Sequence, residues 1–132
     1  MGSDLPGLYP TATSEEVFAD ATVDLVSIAT PNATHYALAR AALEAGKHVL
    51  VDKPACATAA ELRELRDLAT HKKLHLFVFQ NRRWDSDCLT VKKMIASGEL
   101  GQLVGFEARY DRWKPEPNAK AWKETPGPGA GM

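Results

Sequence analysis

The chain has 132 residues, 45% of them hydrophobic, and its 16 basic side chains against 17 acidic ones leave a formal net charge of -1. That size and apolar fraction suffice for a compact core, while so small a charge excludes the long-range field that draws proteins to nucleic acid or an anionic membrane. The 2 cysteines, Cys56 and Cys88, lie far apart without CxxC or His/Cys ligand spacing, which argues against structural zinc and suits a reduced, cytoplasmic protein. No apolar run approaches the roughly 20 residues that span a bilayer, so neither nucleic acid nor a membrane is expected as a partner.

The first element is a short helix near 14–19, because Thr13 is followed three residues later by Glu16, the reciprocal capping pattern that opens a helix. Residues 23–29, Val-Asp-Leu-Val-Ser-Ile-Ala, are apolar almost without alternation, as expected of a parallel strand covered on both faces. Thr30-Pro31-Asn32 ends that ladder. From Thr34 to Ala45 the alanine and leucine content favours helix, with Leu38, Ala41, Ala42 and Ala45 as its apolar stripe and Gly46 as a left-handed stop. A second strand, His48 to Val51, runs into Asp52-Lys53-Pro54.

Thr58 and Glu61 form another capping box, and Leu62, Leu65, Leu68 and Ala69 recur at helical spacing through to His71. Residues 74–79, Leu-His-Leu-Phe-Val-Phe, read as a third strand, parallel to the first two because strands alternate with helices. After Gln80-Asn81-Arg82-Arg83, Asp85 is placed to cap a helix carrying Leu89, Val91, Met94 and Ile95, which Gly98 ends. A longer strand is expected at 102–112, with Val104, Phe106, Ala108 and Tyr110 on one face and Glu107 and Arg109 on the other. It would begin a different sheet. The rest, from Lys114 to Met132, is rich in proline and glycine and reads as loop.

In open parallel sheets, ligands bind beyond the carboxyl ends of the strands. Three polar segments arrive there: Thr30-Pro31-Asn32-Ala33-Thr34-His35, Asp52-Lys53-Pro54 and Gln80-Asn81-Arg82-Arg83. Burying such groups without partners is costly, so each must find one in the chain or in a ligand. For Lys53 the alternatives are a proton-moving ammonium or a simple ion pair with Asp52 or a phosphate. A lone histidine at a first helical turn, such as His35, is more often a cap or packing residue, and His48, His71 and His75 read as strand-end or surface groups. Arg82 and Arg83 fit a solvated or interdomain salt bridge as well as a site.

The stretches ATPNATH, AGKHVLVDKP, QNRRW, SGELG and AWK follow one another in the order and spacing of the glucose–fructose oxidoreductase and inositol dehydrogenase family, which the chain resembles from about residue 9 onward. The resemblance implies an α/β fold: the second half of a Rossmann-type parallel sheet in 1–82, then the start of an α+β substrate and oligomerisation domain in 83–132. It implies NAD or NADP as cofactor, a sugar, cyclitol or similar polyol as substrate, and hydride transfer between them. By the same resemblance Lys53 matches the lysine of the family's Glu-Lys-Pro motif, beside nicotinamide and substrate, with Asp52 in place of the glutamate and Pro54 completing the motif. Thr30, Pro31, Asn32 and His35 match the segment lining the cofactor's adenosine and ribose side. Asn81 and Arg82 match a junction of cofactor and substrate contacts, and Trp122 and Lys123 match a Trp-Arg pair bordering the nicotinamide, although lysine lacks arginine's planar fork.

The fingerprint GxGxxG, which grips pyrophosphate at a helix N-terminus, does not occur in these 132 residues. The resemblance places it upstream and an Asp- and His-bearing helix downstream, so the expectation is weak cofactor binding and no turnover from this polypeptide alone. A shortened, non-catalytic relative acting as a self-associating module is the other reading. Unpaired sheet edges and the apolar face of the 102–112 strand lead to the expectation of a homo-oligomer through that strand.

Overall fold

The computed structural model describes residues 13–111, 113 and 115. It contains two compact units, the first ending at Phe79 and the second beginning at Gln80.

The first unit opens with helix α1, Ser14–Ala19, whose capping box is formed as expected: the Thr13 hydroxyl accepts the Glu16 N–H, and the Glu16 carboxylate accepts the Thr13 N–H. Strand β1, Leu25–Ile28, leads through a 3-10 turn at Asn32–Thr34 into α2, His35–Glu44. Gly46, at φ +81°, makes the left-handed reversal into β2, His48–Asp52. Helix α3, Ala59–Lys72, begins at the Thr58/Glu61 capping box, and β3, Leu76–Phe79, completes the sheet. The end of α3 is not marked by glycine: Lys73 itself takes the left-handed conformation at φ 58°.

The three strands pair in the order β1-β2-β3, both pairs parallel, with Ile28 opposite Val51 and Val51 opposite Val78. Their register puts Val26, Ile28, Val49, Val51, Leu76 and Val78 on one face. That face, with Ala39, Ala42 and Leu43 of α2 and Leu65 and Ala69 of α3, makes the core. Burying each large aliphatic side chain there contributes about 1.5–3 kcal/mol. The opposite face departs from the expectation of strands covered on both sides. Leu25, Phe77 and Phe79 are about half exposed (50%, 52% and 49%), because the described helices α2 and α3 pack on one face only. Between the helices, the Tyr36 hydroxyl donates to Glu64 at 2.6 Å and Arg40 pairs with Glu44 and Glu64. The Glu64 carboxylate, by accepting that bond, raises the Tyr36 hydroxyl above its ordinary range.

In the second unit a 3-10 turn at Asn81–Trp84 precedes α4, Ser86–Ser97, which Gly98 ends at φ +75°. Asp85 is the N-cap residue, but its carboxylate makes no capping bond and pairs instead with Arg82. The strand expected at 102–112 is not formed: residues 103–111 make no ladder and all are exposed, with Arg112 outside the described residues. A strand exists through hydrogen bonds to a neighbour, and no described strand runs beside this segment. Among the described residues no helix is long and apolar enough to cross a membrane.

Candidate functional site

Parallel pairing of β1 with β2 brings the turn after Ile28 and the turn after Asp52 to the same edge of the sheet. The first turn is knitted from within. The Thr34 hydroxyl donates to the Pro31 carbonyl at 2.7 Å and lies 2.6 Å from the Thr30 hydroxyl. Thr30 and Pro31 are exposed and Asn32 is half-buried.

In the second turn the Asp52 carboxylate accepts the backbone N–H of Lys53 at 2.8 Å. Among the described residues no ion pair is made by the Lys53 ammonium, so the Asp52–Lys53 side-chain pair considered from the sequence is not the arrangement adopted; Lys53 is exposed. The Lys53-Pro54 peptide is cis.

His35 joins the two turns. It begins α2, is 1% exposed, and has Nδ1 2.7 Å from the Pro54 carbonyl oxygen and Nε2 2.9 Å from the Thr30 carbonyl oxygen. Of the residues singled out from the sequence, Thr30, Pro31, Asn32, His35, Asp52, Lys53 and Pro54 thus come together at one sheet edge. The bridging role of His35 and the Thr30/Thr34 hydroxyl pair were not foreseen. A Thr-x-x-x-Thr spacing at a strand end was the only sequence signal for the latter. The other histidines are where the sequence put them: His48 Nδ1 accepts the His75 N–H at 3.0 Å at the opposite end of the strands. Cys56, just beyond the second turn, is half-buried, and burial, with a smaller contribution from the Glu61 charge, pushes its thiol above the ordinary range.

Asn81 and Arg82 belong to the second unit. Arg82 Nη1 donates to Asp85 Oδ2 at 2.8 Å, and its guanidinium carbon lies 5.1 Å from the Tyr110 ring centre, a cation–π arrangement. The bond to Asp85, then the Tyr110 hydroxyl, raise the guanidinium above its ordinary range. An apolar groove runs between α4 and the segment it faces, lined by Cys88, Val91, Ile95, Phe106 and Tyr110. Trp122 and Lys123 lie outside the described residues.

Known proteins with this sequence pattern are oxidoreductases. Residues 4–80 match the oxidoreductase family with an NAD-binding Rossmann fold, and residues 88–132 match the GFO/IDH/MocA C-terminal domain. The chain is 47% identical to the uncharacterized oxidoreductase YdgJ of Escherichia coli over 98% of its own length and 37% of that protein's. It is 39% identical to the NADP-dependent scyllo-inositol 2-dehydrogenase IolW of Bacillus subtilis, covering 97% of this chain and 36% of the relative. Among solved structures, an NAD-binding protein from Listeria innocua superposes with a TM-score of 0.71 at 46% identity, over 73% of this chain and 28% of that one. The chain therefore spans little more than a third of the length of these curated relatives. With its parallel three-stranded sheet, its helices and matches to both domains in chain order, it belongs to the GFO/IDH/MocA oxidoreductase family.

Proposed function

We propose that this chain is part of an NAD- or NADP-dependent dehydrogenase that oxidises a secondary alcohol of a sugar, cyclitol or similar polyol, with Lys53 as its proton-relay residue. The observation that carries the proposal is the convergence of the Thr30–Asn32 and Asp52–Pro54 turns at the carboxyl edge of two parallel strands, with the Lys53 ammonium exposed there. Exposed polar turns at that edge fit one side of a dinucleotide, the place where open α/β sheets hold such ligands. Thr30, Pro31 and Asn32 would line its adenosine and ribose side, Asp52 and Pro54 its nicotinamide side. When bound, the nicotinamide supplies the hydride acceptor. Lys53 does the proton chemistry: as an amine it takes the hydroxyl proton while hydride leaves the same carbon, and in the reverse direction its ammonium returns that proton to the carbonyl oxygen.

Asn81 and Arg82 are proposed as further cofactor or substrate contacts, and Trp122 and Lys123 as the border of the nicotinamide. The proposed domain division is 1–82 and 83–132. Because the pyrophosphate fingerprint is not in these residues, weak cofactor affinity and no turnover are the expected properties of the polypeptide by itself. The exposed apolar side chains of the 102–112 segment, with Val104 at 98% and Phe106 at 72%, support self-association through it, in a cytoplasmic setting.

Two measurements test this. In a polypeptide extended to the length of its relatives, Lys53→Ala lowers kcat toward its polyol about a hundredfold or more, the scale of positioned proton transfer; undiminished turnover removes Lys53 from the chemistry. Light scattering at tens of micromolar gives a mass above that of the monomer, reduced or converted to aggregate by Phe106→Glu; a monomer mass for the unaltered chain ends the oligomer proposal.

A further inference from the structure

A buried ring with two polar nitrogens is stable only where both find partners. Around His35 the partners are main-chain oxygens, Pro54 O 2.7 Å from Nδ1 and Thr30 O 2.9 Å from Nε2, each able to accept a ring N–H. The two oxygens belong to different turns, one after β1 and the other after β2, 5 and 19 residues away in sequence. A ring occupied in this way, and 1% exposed, has no nitrogen left to offer a ligand. Because imidazole is planar and rigid, it fixes the distance between the two carbonyls. An aliphatic residue would fill the same space and leave both oxygens without these partners.

We propose that His35 is a positioning residue, a clamp that sets the Lys53–Pro54 turn against the Thr30–Asn32 turn so that a ligand spanning both meets them already arranged. The proposal rests on reading those turns as the cofactor site, and it gives His35 a supporting role in place of direct contact. Preorganisation of this kind raises affinity by removing the cost of ordering two loops on binding. The two halves of the clamp are chemically separable. A neutral ring carries one N–H, so either tautomer donates to one oxygen only, and the protonated ring donates to both. The amide of asparagine reproduces a donor at Nδ1 and that of glutamine a donor at Nε2.

The test uses this chain, uniformly labelled with 13C and 15N. In the unaltered protein, scalar coupling across a hydrogen bond is expected between a His35 ring nitrogen and the carbonyl carbon of Thr30 or Pro54. The variant whose amide keeps the donor that the coupling identifies, His35→Asn for Pro54 or His35→Gln for Thr30, should preserve that carbonyl's shift, while the other variant and His35→Leu should move it. A merely structural role would move the coupled carbonyl alike in all three variants, which overturns the clamp, as does a wild-type ring that couples to neither carbonyl. The wild-type coupling decides the matter should the variants fail to fold. Titration with NAD+ and NADP+ of the polypeptide extended to the length of its relatives, followed by amide shifts, then tests the positioning role: Kd should rise about tenfold in the variant that loses the coupled donor and stay near the unaltered value in the one that keeps it, the effect expected of losing one buried hydrogen bond. Unchanged Kd beside a moved carbonyl would show that the clamp does not serve the site. An extended wild-type polypeptide that responds to neither cofactor removes the site reading instead, independently of the carbonyl shifts.

Discussion

The two units use similar sequence signals to different effect. In the first, the strand and helix patterns find each other: alternate residues of β2 and the leucine and alanine stripes of α2 and α3 bury one another, and every described buried residue lies in this unit. In the second, α4 has an apolar stripe and 103–111 alternates as cleanly as any strand, yet no described side chain there is buried. Periodicity states which face of an element must be covered. It does not supply the cover.

Substitution in the core is the strongest way to break this comparison. Leu43→Ala or Leu65→Ala should each cost about 2–5 kcal/mol in urea unfolding, whereas Trp84→Ala, at a side chain 76% exposed in the second unit, should cost under about 0.5 kcal/mol. Comparable losses would mean that the second unit has a core of its own.

Thr58→Ala, which removes the hydroxyl accepting the Glu61 N–H, should cost about 1 kcal/mol in the same assay; no loss would mean that α3 is held by packing alone. Lys73→Gly should stabilise by about 0.5–1 kcal/mol, because glycine relieves a left-handed lysine at φ 58°. A destabilised variant would show that Lys73 gains more from its side chain than it loses in its backbone. The mildest test concerns Cys56. Thiolate is the reactive form, so in a Cys88→Ser background the alkylation rate of Cys56 should keep climbing with pH above the ordinary thiol value, reflecting burial first and the Glu61 charge second. An inflection at or below that value would place Cys56 outside the packed edge of the first unit.

Much of the fold was legible in local signals. Thr13 with Glu16 and Thr58 with Glu61 marked two helix starts, Gly46 and Gly98 marked two ends, and the apolar runs marked the strands to within about two residues. Lys73 gave no such mark, since a lysine is an uncommon left-handed cap and takes that conformation here at a backbone cost that local sequence does not signal. Asp85 was legible as a cap by position, but not as a partner of Arg82, three residues earlier, which competes for its carboxylate. The same limit applies to the site. Strand-end placement pointed to Thr30, Lys53 and Pro54, while the role of His35 depends on two carbonyls that only the parallel pairing of β1 and β2 brings within reach of one ring.

The hydroxyl pair in the first turn also has a direction. Thr34 has one hydroxyl proton and gives it to the Pro31 carbonyl, so the 2.6 Å contact with Thr30 is made by the proton of Thr30. The Thr30 oxygen therefore has only lone pairs to present outward. Whatever approaches it must bring its own hydrogen, as a ribose hydroxyl, an amide or an ammonium does and a fully ionised phosphate oxygen does not.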